Sequence, residues 1–342
     1  MKKFLSMLLA VVLVLSLGTV AFADGETKTY TDQSTAELTK TYTLVGAGTS
    51  PEETFSFSAL TCTSVSDAAA GVTTTNAPVP TINTVTFDAG AAGDSTKNVQ
   101  KATITLPDYN SVGIYTYTFT ETDNKTAGVT YRSDAIKLVV TVIEQNGLIR
   151  VAGVHTEAAD GEKSGEFTNT YSAGSLAVTK NVTGLLGDKT KEFKVTVTFT
   201  APAGKTVKSN ITYVDGNTKY TIAPENWANG KATANITLKD SETVTFTNIP
   251  YGVTYSVVED DYTTTDKYDA AKYSLNGASA TTTPVSAEEL DAASESVVIT
   301  NNKGADPDTG ITLDSMPYVV MLVVVCAGLF VVLAKKRAAR EN

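Results

Sequence analysis

Three polar residue types recur in the same order in both halves of the chain, each inside a stretch of alternating apolar residues. The order is a lysine, then a glutamate, then an asparagine. Burying such groups is unfavourable by several kcal/mol unless they are paired, so the same burial in two places calls for a chemical reason. The six residues are Lys40, Glu121 and Asn169 in the first half, and Lys180, Glu259 and Asn301 in the second.

A buried set of this composition can form a covalent bond with itself. Desolvation lowers the pKa of a lysine and raises that of a glutamate, so a neutral amine and a carboxylic acid can coexist beside the amide. The amine can attack the side-chain carbonyl of the asparagine while the acid polarises that carbonyl and transfers protons, with release of ammonia. The product is an isopeptide bond. The alternative is a buried ion pair with a satisfied amide and no bond, or strands whose inward face is assigned wrongly.

Strand alternation is what places these residues inside, because side chains two apart share one face of a strand. We expect lysine-bearing strands at 37–44 and 175–182 and asparagine-bearing strands at 166–171 and 296–302, with a very short junction at 172–174. The glutamates end similar segments, Tyr117 to Glu121 and Tyr255 to Glu259. Six rows of residues are predicted to face a core: Leu38, Lys40, Tyr42 and Leu44; Tyr115, Tyr117, Phe119 and Glu121; Phe167, Asn169 and Tyr171; Leu176, Val178, Lys180 and Val182; Tyr255, Val257 and Glu259; Val297, Ile299 and Asn301.

The whole interior of the chain shows the same β pattern, as in the alternation of 193–199, and a repeat of one plan. The sequence therefore predicts an all-β protein with two tandem domains, 24–172 and 173–303. A short helix at 287–293 is the one expected exception.

The two ends of the chain carry targeting signals. Residues 1–23 combine two lysines, an apolar run and a small-x-small site, which is typical of a cleaved signal peptide. Residues 304–342 contain Asp306-Pro-Asp-Thr309-Gly310, an apolar segment of 17 residues at 318–334, just long enough to cross a bilayer, and a basic tail. This order resembles the sorting signal of sortase substrates, usually written Leu-Pro-x-Thr-Gly, with Asp306 in place of leucine. The resemblance implies cleavage between Thr309 and Gly310; a plain membrane anchor is the alternative.

Composition limits the remaining function classes. After both cleavages the chain has 21 cations and 35 anions, a net charge of −14, which disfavours binding to nucleic acid or anionic membranes. Cys326 would be removed with the tail, so Cys62 has no partner for an intrachain disulfide. The single histidine, His155, is expected at a surface strand end, and Trp227 is expected to anchor a loop. No metal-ligand spacing, phosphate-binding loop or Ser/His/Asp set is present, so neither a cofactor nor external catalysis is expected.

The order of lysine, Tyr-x-x-x-Glu and Phe-Thr-Asn-x-Tyr resembles the streptococcal-type isopeptide domains of major pilins, which are CnaB-like, immunoglobulin-like sandwiches. It covers about residues 30–303. The resemblance implies bonds from Lys40 to Asn169 and from Lys180 to Asn301, with Glu121 and Glu259 as the catalytic acids. Asn302 is an alternative to Asn301, which alone has the parity of Val297 and Ile299. The second site departs from the pattern, with Ile299 and Lys303 in place of phenylalanine and tyrosine.

The resemblance also implies a function. A sortase would join Thr309 of one subunit to a lysine of the next, and ultimately to peptidoglycan, giving a pilus shaft on the cell surface of a Gram-positive bacterium. Lys163, six residues before Asn169, matches the acceptor position of related pilins. It could equally be an ordinary solvated turn lysine, and Lys205, Lys219 and Lys267 are alternative acceptors. The second hypothesis is a monomeric wall-anchored adhesin or minor pilin with a host surface receptor.

Overall fold

The computed structural model describes residues 32–304 and the single residue Met321. The proposed signal peptide, the Asp306 to Gly310 motif and the basic tail all lie outside these residues, as does the apolar segment apart from Met321. Within the described part of the chain, no helix has the length and apolar character needed to cross a membrane.

The first half of the described chain is a β-sandwich closed by its own first and last strands. One sheet has the order β4-β6-β1-β11, with β8 also paired to β11, and the facing sheet has the order β10-β9-β7-β3. A two-stranded pair, β2 and β5, lies beside them. The elements are β1 Thr35–Gly46, β2 Glu53–Phe55, β3 Thr61–Ser66, β4 Thr81–Ile82, β5 Val85–Phe87, a 3-10 turn Ala91–Gly93, β6 Val99–Thr105, β7 Gly113–Phe119, β8 Val129–Thr130, β9 Ile136–Gln145, β10 Leu148–Glu157 and β11 Glu166–Thr183.

The second half repeats this plan and begins with the strand that ends the first. Its sheets have the orders β14-β13-β16-β11-β20-β18 and β15-β12-β17-β19. Each half has its own apolar core between its two sheets. The elements after β11 are β12 Phe193–Thr200, β13 Ile211–Asp215, β14 Thr218–Ile222, a 3-10 turn Pro224–Asn226, β15 Lys231–Leu238, β16 Thr243–Pro250, β17 Thr254–Glu259, β18 Lys272–Leu275, β19 Val285–Glu289 and β20 Ser294–Asn302. The expectation of an all-β sandwich fold is confirmed.

The predicted junction at 172–174 lies inside β11, which runs for 18 residues without a loop. Its inward face changes parity there: odd-numbered residues are buried up to Ala173, and even-numbered residues are buried from Gly174 onward. Successive side chains of a strand point to opposite faces, so the change means that the two interiors lie on opposite faces of β11. The register irregularity beside it, between Gly174 and Leu176, places its extra residue in β16. Gly174 is required at this point, because a Cβ would lie 2.2 Å from the backbone oxygen of Ala292. One continuous strand thus presents odd-numbered residues to the first interior and even-numbered residues to the second.

The short helix expected at 287–293 is wrong. Residues Val285–Glu289 form β19, which pairs antiparallel with β17 and covers the edge of its sheet. Ala287 has a φ of 54°, outside the right-handed helical region. The alanine and glutamate content favours a helix, but the open edge of β17 offers backbone partners that outweigh that local preference.

A buried carboxylate joins the two halves beside β11. Glu53 is 1% exposed, accepts hydrogen bonds from Asn124, Thr126 and Tyr131, each at 2.8 Å, and pairs at 3.0 Å with Lys208 of the second half. Burial alone would raise the pKa of Glu53, but these bonds together lower it, so the carboxylate stays charged. The joint between the halves is therefore a continuous strand together with an ionised contact.

Candidate functional site

The lysine and asparagine of each half lie on two strands that pair in parallel. In the first half, Lys40 of β1 is opposite Phe167 of β11, and Asn169 lies two residues further along. In the second half, Lys180 of β11 is opposite Ile299 of β20, and Asn301 again lies two residues further along. The two sites therefore have the same register, with β11 supplying the asparagine of one and the lysine of the other.

The glutamate of each site comes from the opposite sheet. Glu121 follows β7 by two residues, and Glu259 is the last residue of β17. Side chains on the inner faces of two packed sheets point toward each other, which brings each carboxylate to its lysine. All six polar residues are at most 7% exposed. The structure thus places the six residues named from the sequence in two buried triads.

In the first triad, the three side chains are all in mutual contact. The Lys40 amine donates to the Glu121 carboxylate and to Oδ1 of Asn169. Nδ2 of Asn169 donates to Oε2 of Glu121 at 2.9 Å, and the backbone N–H of Arg132 donates to the same oxygen at 2.6 Å. The amide is therefore held with its oxygen toward the amine and its leaving nitrogen toward the acid.

In the second triad, the amine lies 2.7 Å from Oδ1 of Asn301 and 3.3 Å from Oε1 of Glu259. Neither Glu259 oxygen has a hydrogen bond of normal geometry, although Asn301 and Lys180 both lie close to this carboxyl. Asn302, the alternative partner, is turned away: it accepts from Thr183 at 3.0 Å and donates to Asp269 at 2.7 Å. Of the two asparagines, Asn301 is the one that contacts Lys180.

Burial controls the charge of these groups. It lowers the pKa of Lys40 and of Lys180, against the opposing effect of the neighbouring glutamate in each case. It also raises the pKa of Glu259, against the effect of Lys180. Both shifts favour a neutral amine beside a protonated carboxylic acid, the protonation states that amine attack on an amide requires.

An aromatic ring lies under each lysine, a feature that the sequence interpretation missed. The Lys40 Nζ is 4.5 Å from the ring centroid of Phe55, and the Lys180 Nζ is 4.3 Å from that of Phe193. Phe55 belongs to the small β2–β5 pair, which strand patterns did not predict, whereas Phe193 begins the alternating stretch 193–199 and could have been found from it. The rings exclude water from the amine and help to keep it desolvated.

The remaining residues named from the sequence lie outside the triads. Lys163 is exposed in the turn between β10 and β11 and makes no ion pair among residues 32–304. His155 is in β10 and contacts Glu157 at 2.9 Å. Trp227 follows the second 3-10 turn and packs against the second core. Cys62 is buried. The described residues contain no group of three His, Cys, Asp or Glu side chains arranged to hold a metal ion.

Fold and site together define the class: tandem β-sandwiches that share a strand, each with a lysine, a glutamate and an asparagine buried between its sheets. Residues 36–172 match the family described as "Spy0128-like isopeptide containing domain", and residues 174–303 match a domain of unknown function, DUF7601. The first half of the chain is thus similar to the isopeptide-containing domain of pilins.

Known proteins resemble the chain over most of its length. A pilin of Streptococcus pyogenes serotype M1 is 27% identical over 283 residues, which are 77% of this chain and 78% of that protein. The pilus tip adhesin Cpa of Streptococcus pyogenes is 30% identical over 139 residues, 41% of this chain but only 18% of the adhesin. The crystal structure of a major pilin of Streptococcus pyogenes superposes with a TM-score of 0.54 at 23% identity, covering 80% of this chain and 100% of that one. The major pilin T3.2 of the same species gives 0.52 at 19% identity, with 80% and 99% covered. These structural matches show the fold.

Proposed function

We propose that the protein is a structural subunit of a surface pilus whose sandwiches are each closed by one Lys–Asn isopeptide bond. The observation that carries this proposal is the repeated register: in both halves the asparagine lies two residues beyond the partner of the lysine on a parallel strand. The resemblance to pilins over more than three quarters of the chain supports the same function.

In each bond-forming reaction, the neutral lysine amine attacks Cγ of the asparagine and a new C–N bond forms. The protonated glutamate polarises the amide by hydrogen bonding and accepts a proton from the attacking amine as the new bond forms, so that its own proton can pass to the leaving nitrogen. The Cγ–Nδ2 bond then breaks, and the leaving nitrogen departs as ammonia after receiving a proton from the glutamate. No oxidant and no cofactor is needed. Glu121 serves Lys40 and Asn169, and Glu259 serves Lys180 and Asn301.

Assembly would add intermolecular bonds to the intramolecular ones. A sortase cysteine would attack the Thr309 carbonyl, release the chain from Gly310 onward, and transfer the acyl group to an amine of another subunit or of peptidoglycan. Lys163 is our candidate acceptor because of its position. Lys267 adjoins Tyr268 and Asp269, next to the point where the chain leaves β20, and Lys205 lies beside the joint between the halves. An acceptor in the first half lets successive subunits join head to tail.

The intact mass of the processed protein tests the internal bonds. We expect a deficit of two ammonia molecules relative to the sequence. Asn301→Ala should reduce the mass deficit from two ammonia molecules to one, and the matched variant Asn302→Ala should leave it at two. An unshifted mass in the unsubstituted protein would overturn both bonds.

Polymerisation is tested separately. Boiled extracts of cell walls should show a ladder of covalent multimers on denaturing gels, and Lys163→Arg should abolish it while Lys219→Arg should not. A wall-linked monomer with no ladder would favour the adhesin or minor-pilin alternative. The match to the tip adhesin does not favour it, because it covers 18% of that protein.

A further inference from the structure

The end of the molecule at which β11 and β20 finish carries two exposed leucines. Leu185 is 90% exposed and Leu186 is 56% exposed, in the turn that follows β11. Exposed leucines lack the hydrophobic stabilisation that burial would provide. A single exposed apolar residue needs no explanation, but two in sequence at one end of the molecule mark a candidate contact.

This turn is held rigidly. The backbone N–H of Leu186 donates to the Lys303 oxygen at 3.1 Å, and that of Lys303 donates to the Thr183 oxygen at 2.9 Å. Gly184 has a φ of 87°, and a Cβ there would lie 2.2 Å from the Lys303 oxygen. Just beyond the turn, the N–H of Asp188 donates to the Tyr268 hydroxyl at 2.9 Å. The leucines are therefore presented in a fixed position and do not belong to a loose loop.

The same turn adjoins the exit of the chain toward its joining point. Leu186 is bonded to Lys303, and Thr309 is only five residues beyond Gly304. Five residues span at most about 18 Å. Any subunit joined through Thr309 must therefore lie against this end of the molecule, where the leucines project.

Two exposed apolar residues lie on one face of the hairpin formed by β9 and β10 in the first half, beside Arg150 and Gln145. Leu148 is 70% exposed and Ile143 is 37% exposed, and the register places them on the same face. The hairpin tip lies at the end remote from Leu185, because Arg150 pairs at 2.9 Å with Asp32, just before β1. β10 then leads from the tip into the turn that carries Lys163.

We propose that Leu185 and Leu186 dock onto the β9–β10 face of a second copy of this chain, at the joint between successive subunits. The contact rests on the proposed polymerisation and adds a non-covalent interface to the covalent link. It would hold successive subunits in one orientation, since a tether of five residues alone would leave them free to swivel.

The test is the reactivity of single introduced thiols toward a maleimide, in polymers and in unpolymerised chain recovered from the same cells. Cys62 is buried and supplies the background. We expect the thiols of Leu185→Cys and Leu148→Cys to react at least tenfold more slowly in the polymer. The matched control is Val214→Cys, at a position that is 51% exposed on the side of the second half, and it should react equally in both forms.

Each other result has a definite meaning. Equal reactivity of the Leu185→Cys variant in polymer and monomer would overturn the interface. If, in that case, Leu185→Ser also slowed the release of the tail that sortase catalyses with hydroxylamine as the acceptor, the leucines would contact the sortase instead. Protection of the thiol in Leu185→Cys without protection of the one in Leu148→Cys would overturn the β9–β10 face as the receiving surface. Absence of any ladder from the unsubstituted protein would remove the proposed polymerisation, and this interface with it.

Discussion

Pulling on the assembled pilus should load the two proposed internal bonds differently. With Lys163 as the acceptor, force enters three residues before β11 and leaves through Thr309. The shortest covalent path follows β11 from Lys163 to Lys180, crosses to Asn301, and continues to the joining point. The bond between Lys40 and Asn169 is not on this path. We therefore expect Asn301→Ala to make each subunit extensible and Asn169→Ala to leave it inextensible.

The size of the extension follows from the structure. Lys180 and Asn301 are 121 positions apart in sequence but adjacent in space. Releasing that segment at about 3.5 Å per residue adds about 400 Å per subunit, almost all of it new length, because the folded separation is only a few ångströms. Loss of the first bond adds no length along this path.

Single-molecule force spectroscopy on purified polymers measures these steps directly. The unsubstituted polymer should rupture without unfolding steps, and Asn301→Ala should give repeated steps of about 400 Å. Steps from Asn169→Ala polymers would refute the argument, since they would require force to enter the chain before Lys40. Absence of steps from Asn301→Ala would show that Lys180 and Asn301 are not the load-bearing link.

Three further results are expected. Glu53→Gln should lower the free energy of unfolding, measured in urea, by about 2 kcal/mol, because the hydrogen bonds that Glu53 accepts are charge-assisted and buried. Lys208→Ala should lower it by less than about 1 kcal/mol, because the Lys208 side chain is 39% exposed. Because the pKa of Glu53 is lowered, the contribution of this carboxylate to the free energy of unfolding is complete above pH 4.5 and is lost as the pH falls below that value. Small-angle scattering should therefore show a looser joint between the two halves only in acid. A joint that acid leaves unchanged would contradict the assignment. Gly174→Ala should cost about 3 kcal/mol in thermal unfolding, against almost nothing for Gly153→Ala, where a Cβ would meet open space.

Strand periodicity was enough to predict two mainly β domains and the composition of both triads, whereas the sandwich arrangement was implied by the family resemblance. It worked because a lysine within an apolar row keeps the parity of its neighbours, as Lys180 does between Val178 and Val182. The same parity favoured Asn301, and the structure has that residue beside the lysine. Long strands with a single buried face leave little freedom of register.

Features that depend on contacts between distant segments were out of reach. Phe55 lies in a strand of three residues, too short to show a period, yet its ring lies beside Lys40. The ionised Glu53 draws on partners up to 155 positions away, so nothing local marks it as buried. At 287–293 local composition misled, because the edge of β17 decided the outcome.

In a chain exported from its N-terminus, as the signal peptide predicted from the sequence implies, the sharing of β11 sets the order of folding. The first sandwich can close once residues 166–173 have crossed the membrane, because its parallel partner, β1, is already outside. The rest of β11 then projects from a finished domain as an ordered strand with both edges open. β16 and later β20 add to those edges as they emerge, so the slow pairing of distant segments starts from a template already in place. Vectorial secretion and the fold thus impose the same sequence of events, and the bond in the first half would form before the one in the second.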